Sequence, residues 1–356
     1  MHLLFDISSH GFGHLAQCAP VIESLAHSHP KLDITIRSRL PLAQLKRRIK
    51  IDFNHIAESR DFGFVMKNAV DIDLALTAKR YQEFHQNWEQ RVEEEAHWQK
   101  KHNVDILVSN IAYLSLAAAS RIDIPSIAMG SLNWADLLKP IFSSENWFNT
   151  IEKDIISAYQ SAPIFLCLEP GLPMERYLNR YSIGPIAQVG SRCREDIAKL
   201  LKLCSKNRWV LVTMGGMAFD LPIDSWPSIE GISWIVPNDK KYTRPDIAFF
   251  DDTTLHFPDL LASVDAVITK SGYGTFVESA CSATPILYLE RPDWLENQYL
   301  SAWLQNNARS QPLTRLTLSK GHFTHQLNQL WQAPIPQPPL PLGVGQAVEK
   351  ISYFIR

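Results

Sequence analysis

The residue types that could do chemistry gather in two short stretches punctuated by glycine. In Lys270-Ser271-Gly272-Tyr273-Gly274-Thr275-Phe276-Val277-Glu278, an apolar run ending near Thr269 feeds a tight turn and then a helix. The first N–H groups of such a helix lack intrahelical acceptors, and its dipole favours negative charge there. Ser271, Gly272, Gly274 and Thr275 are therefore suited to cradle a phosphate, with glycine removing the Cβ atoms that would keep it away. Glu278 lies one turn beyond Gly274 on the same side, where a carboxylate can accept two hydroxyl hydrogen bonds from a ribose. The same pattern also fits a plain strand–helix connection with an exposed glutamate. The second stretch is Ser8-Ser9-His10-Gly11-Phe12-Gly13-His14. His10, Gly11 and Gly13 form a loop, and His14 stands at the start of the helix that follows. A helix N-terminus pushes an imidazole toward its neutral form, which suits a general base. The plainer alternative is a tight turn with polar residues at its rim.

Stepping outward from these turns, strands and helices alternate. Strands are expected at residues 2–7, 33–36, 104–108, 124–129 and 164–168, and again at 209–213, 233–236, 247–250, 264–269 and 285–289. Helices are expected at 15–26, 113–120 and 194–204, from the second glycine turn to about 281, and from 295 onward. Residues 77–102 are polar, with Tyr81, Phe84, Trp88, Val92 and Ala96 at helical spacing, and read as one amphipathic surface helix. The alternation predicts an α/β protein with parallel sheets covered by helices. Ligands in such sheets sit at the carboxyl ends of strands. That places Ser109, Asn110 and Gly130-Ser131-Leu132-Asn133-Trp134 beside His14, and Met214-Gly215-Gly216-Met217 at another strand end. Turn-forming residues 182–190 predict a boundary between domains 1–190 and 191–356. A proline-rich connector at 334–341 leads to a last helix at 344–354, expected to return toward the first domain.

The chain has 356 residues and a formal net charge of -2, so no overall electrostatic case for nucleic acid exists. Five scattered cysteines without CxxC spacing argue against a disulfide framework or a zinc site. The opening residues are too soon interrupted for a signal peptide, and 106–119 is shorter than the ~20 apolar residues of a membrane span. A cytoplasmic protein is expected. Arg37, Arg39, Lys46, Arg47, Arg48 and Lys50 read first as a solvated basic face, and second as a surface for an anionic acceptor or peripheral contact with a membrane. Asp71 and Asp73 lack supporting ligands, and no metal is expected. Trp134, Phe142, Trp147 and Phe148 read as core residues ahead of an apolar or glycan contact.

These residues resemble the GT-B glycosyltransferases. The nearest likeness is to the glycosyltransferase-like half at the front of plant arabinokinase-type proteins. It is carried by Ser9-His10-Gly11-Phe12-Gly13-His14, by Val108-Ser109-Asn110, by Asn133-Trp134-Ala135-Asp136 and by Lys270 to Ser279. The resemblance implies two facing Rossmann-like domains with a cleft between them. More distantly the chain is similar to the N-acetylglucosaminyltransferase that makes the lipid precursor of peptidoglycan. That likeness implies that Gly215 and Gly216 flank a donor diphosphate and that Phe257 meets the base through its backbone. It also implies that Ser271, Gly272, Gly274 and Thr275 line the phosphates, that Glu278 holds the ribose, and that Asn297 and Gln298 bind the donor sugar. His14 falls where that family has its active-site histidine. The first loop has fewer glycines than that enzyme's, with Phe12 between its two. The second loop, through Met217, Ala218 and Phe219, lacks that enzyme's later glycine.

The expected activity is metal-independent transfer of a sugar from a nucleotide-diphosphate donor, UDP-sugar first, to an acceptor the sequence does not name. No bound cofactor is expected, and no signal of oligomeric state is present. The rivals are a nucleotide-sugar 2-epimerase of the same fold and a non-catalytic nucleotide-sugar-binding protein.

Overall fold

The computed structural model describes residues 1–216, 220–238, 242–251 and 255–355. They divide into two compact units, one of Met1–Lys67, Asp71–Ile186 and Leu342–Arg356, the other of Asn68–Val70 and Ala187–Pro341.

The first unit runs β1 (His2–Ile7), α1 (Phe12–Ser28), β2 (Asp33–Arg37), α2 (Leu42–Arg48), β3 (Asn54–Ile56), α3 (Leu74–His85) and α4 (Trp88–Lys101). It continues with β4 (Ile106–Asn110), α5 (Tyr113–Arg121), β5 (Ser126–Gly130), α6 (Trp134–Phe142), α7 (Phe148–Ser161), β6 (Ile164–Leu168) and β7 (Arg180–Ile183). Its seven strands lie in the order β3-β2-β1-β4-β5-β6-β7, with every pair parallel. β4 and β5 are buried throughout, as expected of central strands covered on both faces. The strand order reverses between β1 and β4, which pair in the register Ile7↔Asn110.

The second unit holds α8 (Arg194–Leu201), β8 (Arg208–Val212), β9 (Ile232–Pro237), β10 (Ile247–Phe250), α9 (Phe257–Ser263), β11 (Ala266–Lys270) and α10 (Tyr273–Cys281). After these come β12 (Ile286–Leu289), α11 (Glu296–Asn307), β13 (Ser310–Leu313), α12 (Arg315–Lys320) and α13 (Thr324–Gln332). Its six parallel strands lie in the order β10-β9-β8-β11-β12-β13, reversing between β8 and β11. Trp226, Trp234 and Phe323 meet edge to face in its core. The chain then returns to the first unit as α14 (Gly343–Ser352). There Gly343 N–H donates to the Pro185 carbonyl at 3.0 Å and the Ser352 hydroxyl meets His29 Nε2 at 2.8 Å.

Two expectations are corrected. The polar stretch 77–102 is two helices, not one. The chain turns at Gln86-Asn87 because Trp88 folds back onto His85, ring to ring at 4.8 Å. His85 is fixed in turn by Asp154 at 3.1 Å and by the Tyr113 hydroxyl at 3.0 Å. Arg37 does not belong to a solvated face: it is fully buried and donates to Asp6 and Glu95, both at 2.7 Å. A charge this deep is tolerated because it is paired and hydrogen-bonded. The network also accounts for a buried Glu95 on so polar a helix. Asp73, read as no metal ligand, caps α3 by accepting from Leu76 N–H at 3.0 Å. β3, β7, β13, α9, α12 and α13, which are short or carry little periodicity, were not expected, and neither were α6 and α7 in the aromatic stretch that begins at Trp134. Trp134, Phe142 and Phe148 are core residues, in line with the first reading of them.

Candidate active site

In the first unit the candidate residues collect where the strand order reverses. β1 ends at Ile7, and Ser8 N–H bonds to the Asn110 carbonyl at 2.7 Å, closing the end of β1 onto β4. The chain then turns through His10 and Gly11 into α1, which puts His14 in the helix's first turn. His14 is buried, and its Nδ1 lies 2.7 Å from Asn110 Oδ1. The orientation of the Asn110 amide is fixed from the other side. Its Nδ2 donates to the Met129 carbonyl at 2.9 Å and to Gln17 Oε1 at 2.8 Å. Gln17 Nε2 in turn donates to the Ser131 hydroxyl at 2.8 Å. Oδ1 can only accept, so His14 Nδ1 must carry the proton and Nε2 the lone pair. Nε2 has no hydrogen-bond partner among the described residues. Burial brings the His14 pKa down to about 4, opposed by the Asn110 hydrogen bond. The imidazole is thus neutral, held in one tautomer, with its basic nitrogen available.

Trp134 packs beside it, with ring centroids 6.2 Å from His14 and 5.3 Å from His10. Its indole N–H donates to Asp61 at 2.9 Å. Burial raises the Asp61 carboxyl to about 6, while hydrogen bonds from Trp134, Ser8 and Ser59 oppose the rise. Gly63 closes over this cluster with φ +61°, and a Cβ there would lie 2.4 Å from the Trp134 ring. Asn133 caps α6, accepting from Asp136 N–H at 2.9 Å.

The second unit repeats the arrangement with different chemistry. β8 ends in the turn at Gly215-Gly216, where Gly215 has φ +76°. Neighbouring β11 ends at Lys270, and Gly272 precedes α10 in an extended conformation. The Lys270 ammonium lies 3.8 Å from the Cβ position of Gly272 and 4.0 Å from that of Gly215. Burial and the neighbouring Arg291 lower the Lys270 pKa to about 7, with Glu296 opposing. Ser271 is buried, and its hydroxyl has no hydrogen-bond partner among the described residues. At the end of the adjacent strand β12, Arg291 packs its guanidinium over the Trp294 ring at 4.4 Å. Asn297 Oδ1 accepts from Arg291 N–H at 3.2 Å, and Trp294 Nε1 donates to Glu296 at 3.1 Å. Two basic side chains, Lys270 and Arg291, thus stand with Glu296 beside a helix N-terminus, where Gly215 and Gly272 carry no Cβ.

No family model matches the sequence. L-arabinokinase of Arabidopsis thaliana is 21% identical over 350 residues, covering 92% of this chain. The chain spans about a third (32%) of that relative's length. Among solved structures, the calicheamicin glycosyltransferase CalG4 superposes with a TM-score of 0.66 at 12% identity, over 99% of this chain and 98% of that one. A Polygonum tinctorium UDP-glucosyltransferase capable of glucosylating indoxyl gives a TM-score of 0.57 at 13% identity, over 99% and 98% of the two chains. The fold is GT-B. A Listeria monocytogenes protein ascribed to the UDP-N-acetylglucosamine 2-epimerases shares its shape, with a TM-score of 0.59 at 13% identity over 100% of this chain and 96% of that one.

Within this GT-B chain, the expected site residues fall into groups. His10, Gly11, Gly13 and His14 lie at one strand-order reversal, and Gly215, Gly216, Ser271, Gly272, Gly274 and Thr275 lie at the other. Met217, Ala218 and Phe219 are outside the described residues. Phe257 opens α9 and is half-buried. Asn297 and Gln298 occupy the first turn of α11; Asn297 is buried and uses its Oδ1 internally, while Gln298 is exposed. Glu278 is not the exposed glutamate of the plainer reading, because it is fully buried. A ribose reaches its carboxylate only if the residues covering it shift. The sequence reading placed Asn110 on the lip, and Lys270, Arg291 and Glu296 at strand ends, without giving any of them a role, and passed over Gln17 and Asp61. Lys270 carried a usable signal, as a lone cation between an apolar strand and a glycine turn. Asn110 and Gln17 carried none, since a polar pair 93 positions apart has no local pattern. Among the described residues no helix is long and apolar enough to cross a membrane.

Proposed function

We propose that this chain is a glycosyltransferase. The second unit would bind a nucleotide-diphosphate sugar, UDP-sugar first, and the first unit would supply the base. The observation that carries this reading is the Ser131–Gln17–Asn110–His14 chain of hydrogen bonds. It holds a neutral imidazole with Nε2 free to accept a proton, which is more than a protein that only binds a sugar nucleotide requires. In the transfer, the acceptor hydroxyl gives its proton to His14 Nε2 while its oxygen bonds to the anomeric carbon. The bond from that carbon to the diphosphate breaks, and its electron pair stays on the departing phosphate oxygen. Charge growing there meets the N–H groups at the start of α10 and the Lys270 ammonium, preorganised groups of the kind that stabilise transition states best. These groups would serve in place of a metal ion. Because Asn110 offers His14 an amide and not a carboxylate, the imidazolium is stabilised by a dipole alone. A base this weak suits an acidic hydroxyl, such as a phenol or enol, better than an aliphatic one.

The test is calorimetric titration with UDP, GDP, TDP and CDP, with and without Mg²⁺, followed by turnover of the matching nucleotide sugars with phenolic and aliphatic acceptors. Metal-independent binding of one nucleotide and acceptor-dependent release of the diphosphate support the reading. Release of a free epimer without acceptor favours the 2-epimerase. Binding without turnover, unaffected by His14→Ala, favours a non-catalytic protein.

A further inference from the structure

Lys270 is out of keeping with the rest of the molecule. The buried Arg37 is matched by Asp6 and Glu95, and Arg194 by Asp265. Lys270 is half-buried yet makes no hydrogen bond or ion pair among the described residues. Its ammonium points to the glycine side of both turns, within 4.0 Å of where the Cβ atoms of Gly215 and Gly272 would stand. Two side chains have been kept away from one cation, and among the described residues no acceptor lies within hydrogen-bond or ion-pair distance of it, Glu296 acting only from further off. Beside it the Ser271 hydroxyl is buried without a partner among the described residues, and α10 begins at once after Gly272 with no side-chain cap for its first N–H groups. Lys270, the Ser271 hydroxyl and the uncapped start of α10 are all donors, a set that suits an anion.

Resting on the donor-site reading above, we propose that this recess is a proton-coupled receptor, in which Lys270 is only partly protonated while the recess is empty and takes up a proton together with the diphosphate. Among the described residues two charged groups act on Lys270. Arg291, from the end of β12, disfavours its charge, and Glu296, from the start of α11, favours it. Burial and Arg291 together prevail, which leaves Lys270 near pKa 7 when empty. A diphosphate in the recess reverses the balance, because it brings two or more negative charges against the single positive charge of Arg291. Transfer sharpens the effect. Breaking the bond to the sugar leaves the terminal phosphate with one more negative charge than it had in the donor. Lys270 therefore remains protonated to higher pH with the product diphosphate than with the sugar nucleotide. It is a charge-balancing residue for the leaving group, present only when there is a charge to balance.

Isothermal titration of the full chain with UDP at pH 8.5, in two buffers of different ionisation enthalpy, tests this. UDP is fully ionised at that pH, so any proton taken up comes to the protein. The expected result is uptake of close to one proton per UDP bound, and a loss of affinity of about 15-fold between pH 7 and pH 8.5. Lys270→Arg is expected to bind UDP with no proton uptake and no loss over that range, because its guanidinium is always charged. Lys270→Met is expected to bind weakly at every pH. UDP binding by the native chain without proton uptake would overturn the proposal while leaving the donor site standing. So would uptake that persists in Lys270→Arg. Failure to bind UDP, GDP, TDP or CDP at any pH would overturn the donor reading itself, and the proposal with it.

Discussion

Asn110→Asp is the most informative single substitution in the first unit. The side chains are nearly isosteric, so the 2.7 Å contact with His14 Nδ1 can persist. What changes is the charge facing the imidazole. A unit charge about 4 Å from the ring, at an effective dielectric constant of 20, contributes ~4 kcal/mol. At 1.36 kcal/mol per pKa unit that is about 3 units. His14 should therefore move from about 4 to about 7, less whatever the buried carboxylate costs to desolvate. The substitution also removes the Asn110 donations to Met129 and Gln17. Gln17 can rotate its amide to donate, but the Met129 carbonyl then faces a carboxylate oxygen, so stability should fall by ~1–3 kcal/mol. The assay is an NMR titration of the His14 ring protons in the folded variant, paired with the pH dependence of kcat/KM. The acidic limb should move up by 2–3 pH units, and activity toward less acidic acceptors should rise on the plateau (about tenfold or more) as the base strengthens. A folded Asn110→Asp protein whose His14 titrates as in the native chain would refute the claim that the amide sets the state of the imidazole.

Gly272→Ala should separate folding from binding. The added Cβ meets nothing closer than Lys270 Nζ at 3.8 Å and the backbone there is extended, so unfolding by urea should be unchanged while UDP affinity falls about tenfold or more. Gly63→Ala should do the reverse, because a φ of +61° and a 2.4 Å approach to Trp134 make any side chain strained. A loss of ~2–4 kcal/mol is expected in urea unfolding, with the Trp134 near-UV signal altered. Between pH 4 and 6.5 the stability contains opposed contributions, His14 on one side, joined in direction by His85 whose pKa burial also lowers, and Asp61 on the other. Burial lowers folded His14 to about 4 from 6.5, so its contribution is present above pH 6.5 and is lost as pH falls to 4. Burial raises folded Asp61 from 3.8 to about 6, so its contribution is present below pH 3.8 and is lost as pH rises to 6. Each amounts to ~3 kcal/mol. Asp61→Asn should therefore unmask the slope of His14 and His85, its unfolding free energy falling more steeply than the native chain's between pH 6.5 and 4 in urea titrations.

The fold was legible because central parallel strands are buried on both faces and read as unbroken apolar runs, as in Ile164–Leu168. Helices such as α1 and α10 follow them behind glycine turns. The edge elements were harder. β7 has three exposed residues of four, and β13 is Ser310-Gln311-Pro312-Leu313, so neither has an apolar signature. Residues 77–102 showed helical spacing over their full length, yet the break is set by tertiary stacking of His85 with Trp88 and Tyr113, which no local pattern records. At the candidate site the backbone features were readable and the side-chain relays were not. Glycine turns announce themselves by residue type. The pairing of His14 with Asn110 depends on β1 and β4 being neighbours in the sheet, and the isolation of Lys270 depends on an absence of partners that only packing reveals.

The most direct measurement is release of nucleoside diphosphate from the nucleotide sugar that binds, with and without a phenolic acceptor, comparing the native chain with His14→Ala. The proposed transferase should release diphosphate only when acceptor is present, and His14→Ala should slow that release by about 10²–10⁴-fold while keeping its affinity for the nucleotide. Acceptor-dependent release that survives His14→Ala at full rate, or release that needs no acceptor, would contradict transfer with His14 as the base.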